Sequence, residues 1–351
     1  MPAKKLQAGV IGTGMGRYHM EGYASHPRCE LLAVCDLNEA EARQFGEQYG
    51  AKHIFTDYRE MLKLKELDLV SVAVPNFLHA PMTIAALEAG KHVLCEKPMA
   101  TRLADAQRMV ETARRKKRRL MMDMSQRFAP QQRTLYNLAA KGLLGDIYYA
   151  KAGWIRRKGT PVLDFAPGGS MGRGPWFVNK KQAGGGALFD IGVHLYDLAW
   201  WVMGGPQPVQ VTGSLYDLLS QPRFQKKGVP ADIDDLASAF VKFDNGATLF
   251  VEISWDSHMA PGSYLYIFGT KGGLSWVNGQ VTLHRDKGGK SVDELQDASK
   301  TKVENAYHHF VDCVLDPKKK MIAAGAECLA VQKVLDAIDR SARSGKAITI
   351  S

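Results

Sequence analysis

An apolar segment that runs directly into closely spaced glycines is the feature that most constrains the fold. The segment Leu6–Ile11 has the composition of a buried strand, and Gly12, Gly14 and Gly16 follow it before the amphipathic segment Arg17–Ser25. A strand, a glycine turn and a helix in this order can bind a pyrophosphate, because glycines let backbone amides approach it at the helix N-terminus. We therefore predict a dinucleotide-binding Rossmann domain at this end of the chain.

The glycine turn departs at one position from the usual G-x-G-x-x-G fingerprint. Its third glycine, Gly16, comes one residue early, and Arg17 occupies the usual place. Either the turn is one residue shorter, or Arg17 reaches the phosphates. The pattern leaves both alternatives open, and both include Met15 among the predicted cofactor-binding residues.

An acidic residue at the end of the second predicted strand favours NAD as the cofactor. Asp36 follows the glycine turn by about 20 residues, the spacing of a carboxylate that binds the ribose 2′-hydroxyl. Leu37 and Asn38 come next, and no arginine is present there to accept a 2′-phosphate. The sequence therefore predicts NAD, with NADP less favoured.

Two different rhythms of secondary structure divide the 351 residues, a length that suggests two domains. Up to residue 124, apolar strands alternate with amphipathic helices, which indicates an α/β fold with a doubly wound parallel sheet. From residue 125 onward, longer strands separated by turns indicate an antiparallel sheet. The predicted strands of the first domain are Leu6–Ile11, Leu31–Cys35, Leu69–Val74, His92–Cys95 and Leu120–Met122, and its helices are Arg17–Ser25, Glu39–Tyr49, Pro81–Ala89 and Leu103–Arg118. Those of the second are strands Ile147–Trp154, Val209–Ser214, Ala237–Phe243, Thr248–Trp255, Tyr264–Phe268 and Gln280–His284, with helices Arg133–Lys141 and Ala326–Ser344.

Bulk properties argue against several classes of function. The net charge of +10 is concentrated in residues 114–119 and 318–320, without interleaved aromatic residues, so we predict helix ends there and no nucleic-acid partner. The five cysteines form no CxxC pair, which argues against disulfides and zinc sites. No apolar run is long enough to cross a bilayer, and the first apolar stretch is too short for a signal peptide. We therefore predict a cytoplasmic protein with neither a metal nor a membrane partner.

Polar residues at two predicted strand ends mark the ligand-binding edge of the first sheet. Pro75, Asn76 and His79 follow one strand, and Glu96 and Lys97 follow the next. Ligands bind at the carboxyl ends of strands in doubly wound sheets. A lysine at this edge can meet a ligand, although a lone lysine is more often a surface residue.

The second predicted domain contains an aspartate and a histidine four residues apart. Asp190 and His194 would share one face of a helix and could act together. Histidine is the side chain best suited to exchange a proton near neutral pH. The alternative is a helix-capping aspartate and a core histidine, which an isolated D-x-x-x-H pattern would favour.

A long segment with little periodicity, Lys158–Lys181, precedes this pair and predicts a functional loop. Aromatic faces stack on sugar rings, and arginine and lysine donate to hydroxyl groups or carboxylates. In and beside the loop, the predicted substrate-binding residues are Arg156, Arg157, Trp176 and Lys180, together with Asp190 and His194.

Taken together, these motifs resemble the glucose–fructose oxidoreductase/inositol dehydrogenase (Gfo/Idh/MocA) family over nearly the whole chain. The matching segments, in the family's order, are Pro75-Asn76-x-x-His79, Glu96-Lys97-Pro98, Gln126-Arg127-Phe128, Gly142-x-Leu144-Gly145-x-Ile147, Gly185-Gly186-x-Leu188-x-Asp190-x-Gly192-x-His194-x-x-Asp197 and Gly269-Thr270-Lys271-Gly272.

The resemblance implies a Rossmann domain followed by an α/β domain whose large, open, mostly antiparallel sheet forms dimers or tetramers. It implies that Lys97 is the active-site lysine, that His194 is the general acid/base and that Asp190 orients substrate hydroxyls. The full predicted cofactor-binding set is Gly12, Gly14, Met15, Gly16, Arg17, Asp36, Pro75, Asn76, His79, Glu96, Lys97 and Gln126.

We therefore predict an NAD-dependent dehydrogenase of a sugar, glycoside or cyclitol. His194 would take the hydroxyl proton, and Lys97 would stabilise the alkoxide. Three alternatives remain open. The chain could be a keto-sugar reductase or dihydrodiol-type dehydrogenase of the same family. It could be an enzyme that recycles a tightly bound cofactor between two sugars, or a regulator that senses NAD or sugar without chemistry.

Overall fold

The first of two sheets in the computed structural model, which describes residues 5–159 and 174–350, is a six-stranded parallel sheet. Its order is β3-β2-β1-β4-β5-β6, so the direction of winding reverses between β1 and β4, where ligands bind in folds of this type. The strands are β1 Leu6–Ile11, β2 Cys29–Cys35, β3 His53–Phe55, β4 Leu69–Val72, β5 His92–Glu96 and β6 Leu120–Asp123. The predicted doubly wound sheet is confirmed.

Five helices cover this sheet: α1 Gly16–Ser25, α2 Glu39–Tyr49, α3 Tyr58–Leu62, α4 Asn76–Glu88 and α5 Leu103–Lys116. The short elements β3 and α3 were not predicted, because neither is long enough to show a period. The predicted start of α4 at Pro81 is wrong, since the helix begins at Asn76 and Pro81 lies in its second turn. Pro81 there forfeits only a bond to the carbonyl of Phe77, which the helix tolerates. The preceding strand also ends earlier than predicted, at Val72 rather than Val74.

The second sheet has nine strands in the order β14-β13-β12-β11-β7-β10-β9-β8-β15. All neighbours are antiparallel except β7 and β10, so the prediction of a mostly antiparallel sheet is confirmed. Gly246, with a φ of +83°, forms the predicted hairpin turn between β9 and β10. The strands are β7 Ile147–Ile155, β8 Pro208–Tyr216, β9 Leu236–Phe243, β10 Thr248–Ser254, β11 Gly262–Gly269, β12 Gly273–Val277, β13 Gln280–Lys287, β14 Lys290–Gln296 and β15 Ile348–Thr349.

Helices pack on one face of the second sheet and leave aromatic side chains on the other. The helices of this part of the chain are α6 Pro130–Ala140, α7 Lys180–Ala183, α8 Val193–Val202, α9 Ser220–Lys226, α10 Ala306–Leu315 and α11 Gly325–Ser344. Of these, α6, α8 and α11 contact the sheet. Phe240 and Phe268 lie on the opposite face, where they are 38% and 40% exposed.

The chain returns to the first sheet near its end. Helix α10 packs on α1, and its residues Phe310 and Val311 belong to the same apolar cluster as Val10 of β1. The amide of Met122 also donates to the carbonyl of Ala323. The predicted domains, residues 1–124 and 125–351, therefore each contain one sheet, but α10 of the second packs against the first. The domain boundary stays a prediction.

The basic runs and the cysteines have ordinary structural places. Residues 114–116 form the last turn of α5, and Lys117 caps that helix, as predicted from the charge pattern. All five cysteines are buried thiols without a disulfide partner. Among the described residues, no helix combines the length and apolar character that crossing a bilayer requires.

Candidate active site

The glycine turn between β1 and α1 brings backbone into contact with backbone. Gly12 has a φ of +92°, and a Cβ atom there would lie 2.1 Å from the carbonyl oxygen of Ala73. A Cβ on Gly16 would lie 2.8 Å from Cγ1 of Val10, so this glycine allows α1 to pack closely on β1. That packing is the usual task of the third glycine. Because Gly16 performs it and α1 begins there, the alternative of a turn shortened by one residue fits the structure.

Arg17, the other alternative, lies over a neighbouring side chain in this structure. Its guanidinium is 5.0 Å from the centre of the Tyr18 ring, and its Nη2 is 3.3 Å from the Tyr18 hydroxyl. Gly14 and Met15 occupy the turn before the helix. Contact of Met15 or Arg17 with a cofactor phosphate stays a prediction.

Asp36 lies beside the glycine turn, as its position after β2 predicts. One carboxylate oxygen accepts hydrogen bonds from the amide and hydroxyl of Thr13, at 2.7 and 2.8 Å. The other accepts from the amide of Asn38 at 2.9 Å. A second carboxylate, which the sequence analysis missed, belongs to Glu41 in the first turn of α2 and lies 2.9 Å from the Thr13 hydroxyl. This paired negative charge disfavours a 2′-phosphate.

The residues after β4 connect neighbouring segments of the site. The side-chain amide of Asn76 donates to the carbonyl of Ala183 at 2.8 Å. The buried ring of His79 lies between the carbonyl oxygens of Val74 and Pro98, 2.8 and 2.7 Å from its nitrogens. Burial lowers the pKa of His79. In this structure the polar atoms of Asn76 and His79 bind backbone, and their contact with a cofactor, like that of Pro75, stays a prediction.

The carboxylate of Glu96 faces into the first domain. It accepts from the amide of Lys97 at 3.2 Å, and it lies 3.2 Å from Nε2 of the buried His19. Gln126, in the turn Ser125–Phe128 after β6, is half-buried. Contact of Glu96 and Gln126 with the cofactor stays a prediction.

Lys97 reaches from the end of β5 to the second domain. Its Nζ donates to the carbonyl oxygen of Asp190 at 2.9 Å and lies 3.3 Å from the carboxylate oxygen Oδ1. The other carboxylate oxygen of Asp190 accepts from Nε1 of Trp255 at 3.0 Å. Trp255, which the sequence analysis did not single out, is fully buried at the end of β10. The structure therefore brings Lys97 and Asp190 together and fixes the aspartate from two sides.

His194 follows Asp190 by four residues, at the start of α8. Its Nδ1 is buried and has no hydrogen-bond partner within the described ranges. Burial, together with the nearby Lys97 cation, lowers the pKa of His194 to about 3. The imidazole is therefore neutral at physiological pH and can accept a proton.

A buried cap fixes the segment that carries Asp190 and His194. Asp234 accepts from the amides of Gly186 and Leu188, at 2.7 and 2.8 Å. A Cβ on Gly186 would lie 1.8 Å from the carbonyl oxygen of Asp234, so only glycine fits there. The chain then makes one π-helical turn, Leu188–Gly192, before α8 begins. Such turns are frequent at functional sites because they redirect side chains.

Only some of the predicted substrate-binding residues lie near one another in the structure. Trp176 packs edge-on against Phe177, which stacks on Trp255 with ring centres 5.8 Å apart. Arg156 lies over Trp154, 4.9 Å from its ring centre. By contrast, Arg157 is exposed, and Nζ of Lys180 lies 2.6 Å from a carboxylate oxygen of Asp339 on α11. Residues 160–173 of the predicted loop lie outside the described residues.

Comparison with known proteins agrees with the geometry. Residues 6–124 match the oxidoreductase family with an NAD-binding Rossmann fold (GFO_IDH_MocA), and residues 132–275 match the GFO/IDH/MocA C-terminal domain.

Among relatives, D-glucoside 3-dehydrogenase of Escherichia coli K12 is 30% identical, covering 100% of this chain and 99% of that protein. Levoglucosan dehydrogenase of Pseudarthrobacter phenanthrenivorans is 28% identical, covering 77% of this chain and 73% of that protein. A solved structure of levoglucosan dehydrogenase with NADH and levoglucosan has a TM-score of 0.85 at 22% identity, covering 99% and 100% of the two chains. Aldose–aldose oxidoreductase from Caulobacter crescentus, complexed with glycerol, has a TM-score of 0.81 at 25% identity, with the same coverage.

Both domains and the full length of the chain are therefore matched by one family. The predicted NAD cofactor and oxidoreductase class are confirmed, whereas the contacts of the glycine turn and Asp36 with that cofactor stay predictions. The chain belongs to the Gfo/Idh/MocA family and is an NAD-binding oxidoreductase.

Proposed function

We propose that this protein oxidises a secondary hydroxyl of a sugar, glycoside or cyclitol, with His194 as acid/base and Lys97 stabilising the alkoxide. One observation carries the proposal: the Lys97 ammonium group, at the end of β5, binds Asp190 in the segment that also carries His194, beside the carboxyl edge of the first sheet. The Lys97 cation and the Asp190 carboxylate both act on the pKa of His194, which supports a shared role for the three residues.

The chain's own residues fit NAD at this edge. The close approach at Gly12 leaves room for backbone only, and no acidic residue in the first turn of α1 opposes an anion. The Asp36 carboxylate, fixed by Thr13 and Asn38, is available at the rim for a ribose hydroxyl. When bound, NAD supplies the acceptor for the hydride.

Each side chain has a distinct task in the proposed reaction. The His194 imidazole, neutral because of its lowered pKa, accepts the proton of the substrate hydroxyl. Lys97 provides positive charge where the alkoxide develops, in a site with little water. Asp190, held by Trp255, orients Lys97 and the substrate hydroxyls.

The substrate class is supported by relatives and by aromatic residues. Two of the relatives are named D-glucoside 3-dehydrogenase and levoglucosan dehydrogenase, and the first aligns over the whole chain. Trp176 is half-buried and packs on Phe177, which stacks on Trp255 beside Asp190, so the Trp176 ring can offer an apolar face to a sugar ring. Arg156 and Arg157 would donate to its oxygens. A hexopyranoside fits this arrangement, with cyclitols as the second choice.

Replacing His194 tests the proposed chemistry. The variant His194→Ala should retain NAD binding and lose about 10²–10⁴-fold in turnover of a responsive sugar, followed by NADH absorbance. His284→Ala, a change in a half-exposed histidine on β13, serves as the matched control and should keep wild-type turnover. Near-wild-type turnover in His194→Ala would remove the histidine from the mechanism. If no sugar, glycoside or cyclitol reduces NAD although NAD binds, the regulator alternative gains support.

Replacing Asp36 tests cofactor preference. The variant Asp36→Ala should lower the preference for NAD over NADP about 10- to 100-fold, since it loses a ribose contact and a negative charge. The ratio of kcat/KM for the two cofactors measures the change. If the wild-type enzyme is active with NADP but not with NAD, the role of Asp36 in selecting NAD is contradicted.

We also propose a homodimer or homotetramer formed through the open face of the second sheet. On that face Phe240 pairs with Phe250 across β9 and β10, and Tyr266 lies opposite Lys151. Half-exposed aromatic side chains in register suit a self-complementary interface. The variant Phe240→Glu should lower the mass measured by light scattering after gel filtration. An unchanged mass would exclude this face.

A cytoplasmic location stays a proposal. It is supported by the five buried thiols, since an oxidising compartment favours disulfides. Cell fractionation with an antibody against the chain would test it.

A further inference from the structure

A second cluster of titratable side chains lies inside the first domain, behind Lys97. It consists of His19 from α1, Glu96 at the end of β5 and Asp123 at the end of β6, all of them buried. Their ligand-type atoms all lie within 4.8 Å of one another. Sequence analysis did not group them, because each comes from a different element.

Hydrogen-bond donors in this cluster are fewer than acceptors. Nδ1 of His19 lies 2.8 Å from the hydroxyl oxygen of Ser71, which also lies 2.6 Å from the Tyr23 hydroxyl. Nε2 of His19 therefore faces both carboxylates, at 3.2 Å from Glu96 and 3.5 Å from Asp123. The second oxygen of Asp123 is buried and has no hydrogen-bond partner among the described residues. A single ring nitrogen of His19 is therefore shared by the two carboxyl groups, and the Asp123 oxygen without a partner among the described residues leaves a place for one more proton.

Electrostatics separates the two carboxyl groups. Burial opposes ionisation of Glu96, but the contact with His19 keeps the pKa of that carboxyl below its usual value. Burial and the Glu96 charge raise the pKa of Asp123 to about 7. Two carboxyl groups this close do not ionise together easily, and one of them retains the proton. Of the two carboxyl groups, Asp123 therefore holds the proton more strongly.

The cluster is connected to the catalytic lysine through Glu96. The carboxylate of Glu96 accepts from the amide of Lys97, and the Lys97 cation acts on the pKa of both Glu96 and Asp123. The ring of Tyr307 on α10 packs on His19 with ring centres 4.5 Å apart and also lines a surface hollow. Several titratable groups face Asp123, and either they change its pKa or its charge changes theirs. They are His19, Tyr23, Cys95, Glu96, Lys97 and Tyr307.

We propose that Asp123 is a positioning residue that binds and releases one proton beside Glu96 and thereby sets the electrostatic potential at Lys97 during the reaction. This rests on the proposed dehydrogenase function. The step breaks the O–H bond of the Asp123 carboxyl group, leaves the electron pair on its oxygen and delivers the proton to water past Tyr307. Ionised Asp123 adds a negative charge that opposes the alkoxide, so the protonated form supports faster oxidation.

The kinetic test compares wild type with Asp123→Asn, which mimics the protonated carboxyl group. The ratio of variant to wild-type kcat should be near one at about pH 6 and rise to about threefold at about pH 8.5, as expected for one partly screened charge. A second variant, Tyr307→Phe, removes the hydroxyl that lowers the Asp123 pKa, so the inflection in its profile should move to higher pH. A kcat ratio that stays constant with pH in Asp123→Asn would overturn the proposal. If Asp123→Asn does not fold, an inflection that stays at the wild-type pH in Tyr307→Phe would overturn it instead.

A spectroscopic test needs no substrate and so distinguishes this proposal from the proposed function. Infrared titration of the purified protein should reveal a protonated carboxyl band that disappears as the pH rises through about 7. The band should be absent from Asp123→Asn and present in the control Asp312→Asn, which removes a carboxylate on α10. Absence of the band from wild type would overturn the proposal, even for an active dehydrogenase. A metal ion present at one per chain and lost in Asp123→Asn would also overturn it, because the cluster would then be a metal site.

Discussion

Two aspartates, Asp190 and Asp197, lie seven residues apart and each meets a cation from the edge of the first sheet, but the two ion pairs are built differently. Arg127 binds Asp197 through two nitrogens, at 2.6 and 2.9 Å, and the two side chains are 0% and 1% exposed. Lys97 lies 3.3 Å from the Asp190 carboxylate, and these side chains are 18% and 10% exposed.

The difference separates structure from chemistry. Arg127 is saturated, since a further nitrogen lies 2.5 Å from Glu327 on α11 and its guanidinium lies 5.3 Å from the centre of the Trp201 ring. The Lys97–Asp190 pair is looser, and both of its groups act on the pKa of His194, whose Nδ1 has no hydrogen-bond partner among the described residues. A saturated pair holds α8 in place, whereas a partly exposed pair retains the capacity to meet a substrate.

The largest expected effect is loss of stability on removing the guanidinium of Arg127. The variant Arg127→Leu should lower the free energy of unfolding by about 3–5 kcal/mol, because it leaves the Asp197 carboxylate buried without its cation. Urea denaturation measures the loss. The double variant Arg127→Leu/Asp197→Leu should recover part of it, since no buried charge then remains uncompensated. A loss below about 1 kcal/mol in the single variant would mean that the pair is not structural.

Sequence could not tell these two aspartates apart. Both belong to one motif, and their spacing of about two helical turns gives them similar faces. The Rossmann unit was predictable because its strand, glycine turn and helix are contiguous. Trp255 and Asp234, which fix Asp190 and its segment, lie far along the chain, so no local pattern marks them. His79 is the opposite case, because a local motif did mark it. The motif predicted a ligand contact, whereas in the structure the ring lies between two backbone carbonyl oxygens.

Replacing Lys97 should impair catalysis more than stability, the reverse of what is expected for Arg127→Leu. The variant Lys97→Met should lower kcat about 10²–10³-fold, the loss typical of one group that stabilises an oxyanion. Its free energy of unfolding should fall less than that of Arg127→Leu, because the Lys97 side chain is 18% exposed and Asp190 keeps its hydrogen bond from Trp255. Lys319→Met is the matched control, since its Nζ pairs with Glu304 and Asp312, and it should keep turnover. A fall in stability as large as that of Arg127→Leu would abolish the distinction between the pairs.

The buried histidine in the looser region should make stability depend on pH. Unfolded His194 binds a proton below its usual pKa of 6.5, whereas the folded form does not until about pH 3. Folding stability contributed by the neutral ring is therefore complete above pH 6.5 and decreases as the pH falls. Between pH 6.5 and 4.5, the free energy of unfolding should fall less steeply in His194→Asn, by up to about 1.4 kcal/mol per pH unit. His79 and His92 keep their share of the slope in both proteins. Identical slopes would mean that folding does not lower the pKa of His194.

The smallest effect should come from the hydrogen bond that fixes Asp190. Trp255→Phe removes the Nε1 donor to the carboxylate but retains a ring to stack on Phe177. Asp190 should then orient Lys97 less well, and kcat should fall about fivefold to tenfold with KM little changed, which corresponds to about 1 kcal/mol. Trp276→Phe makes the same chemical change where the indole binds Gln131, and it should leave kcat unaltered. If KM rises instead and kcat stays constant, Trp255 contacts the substrate directly, and Asp190 does not depend on it for orientation.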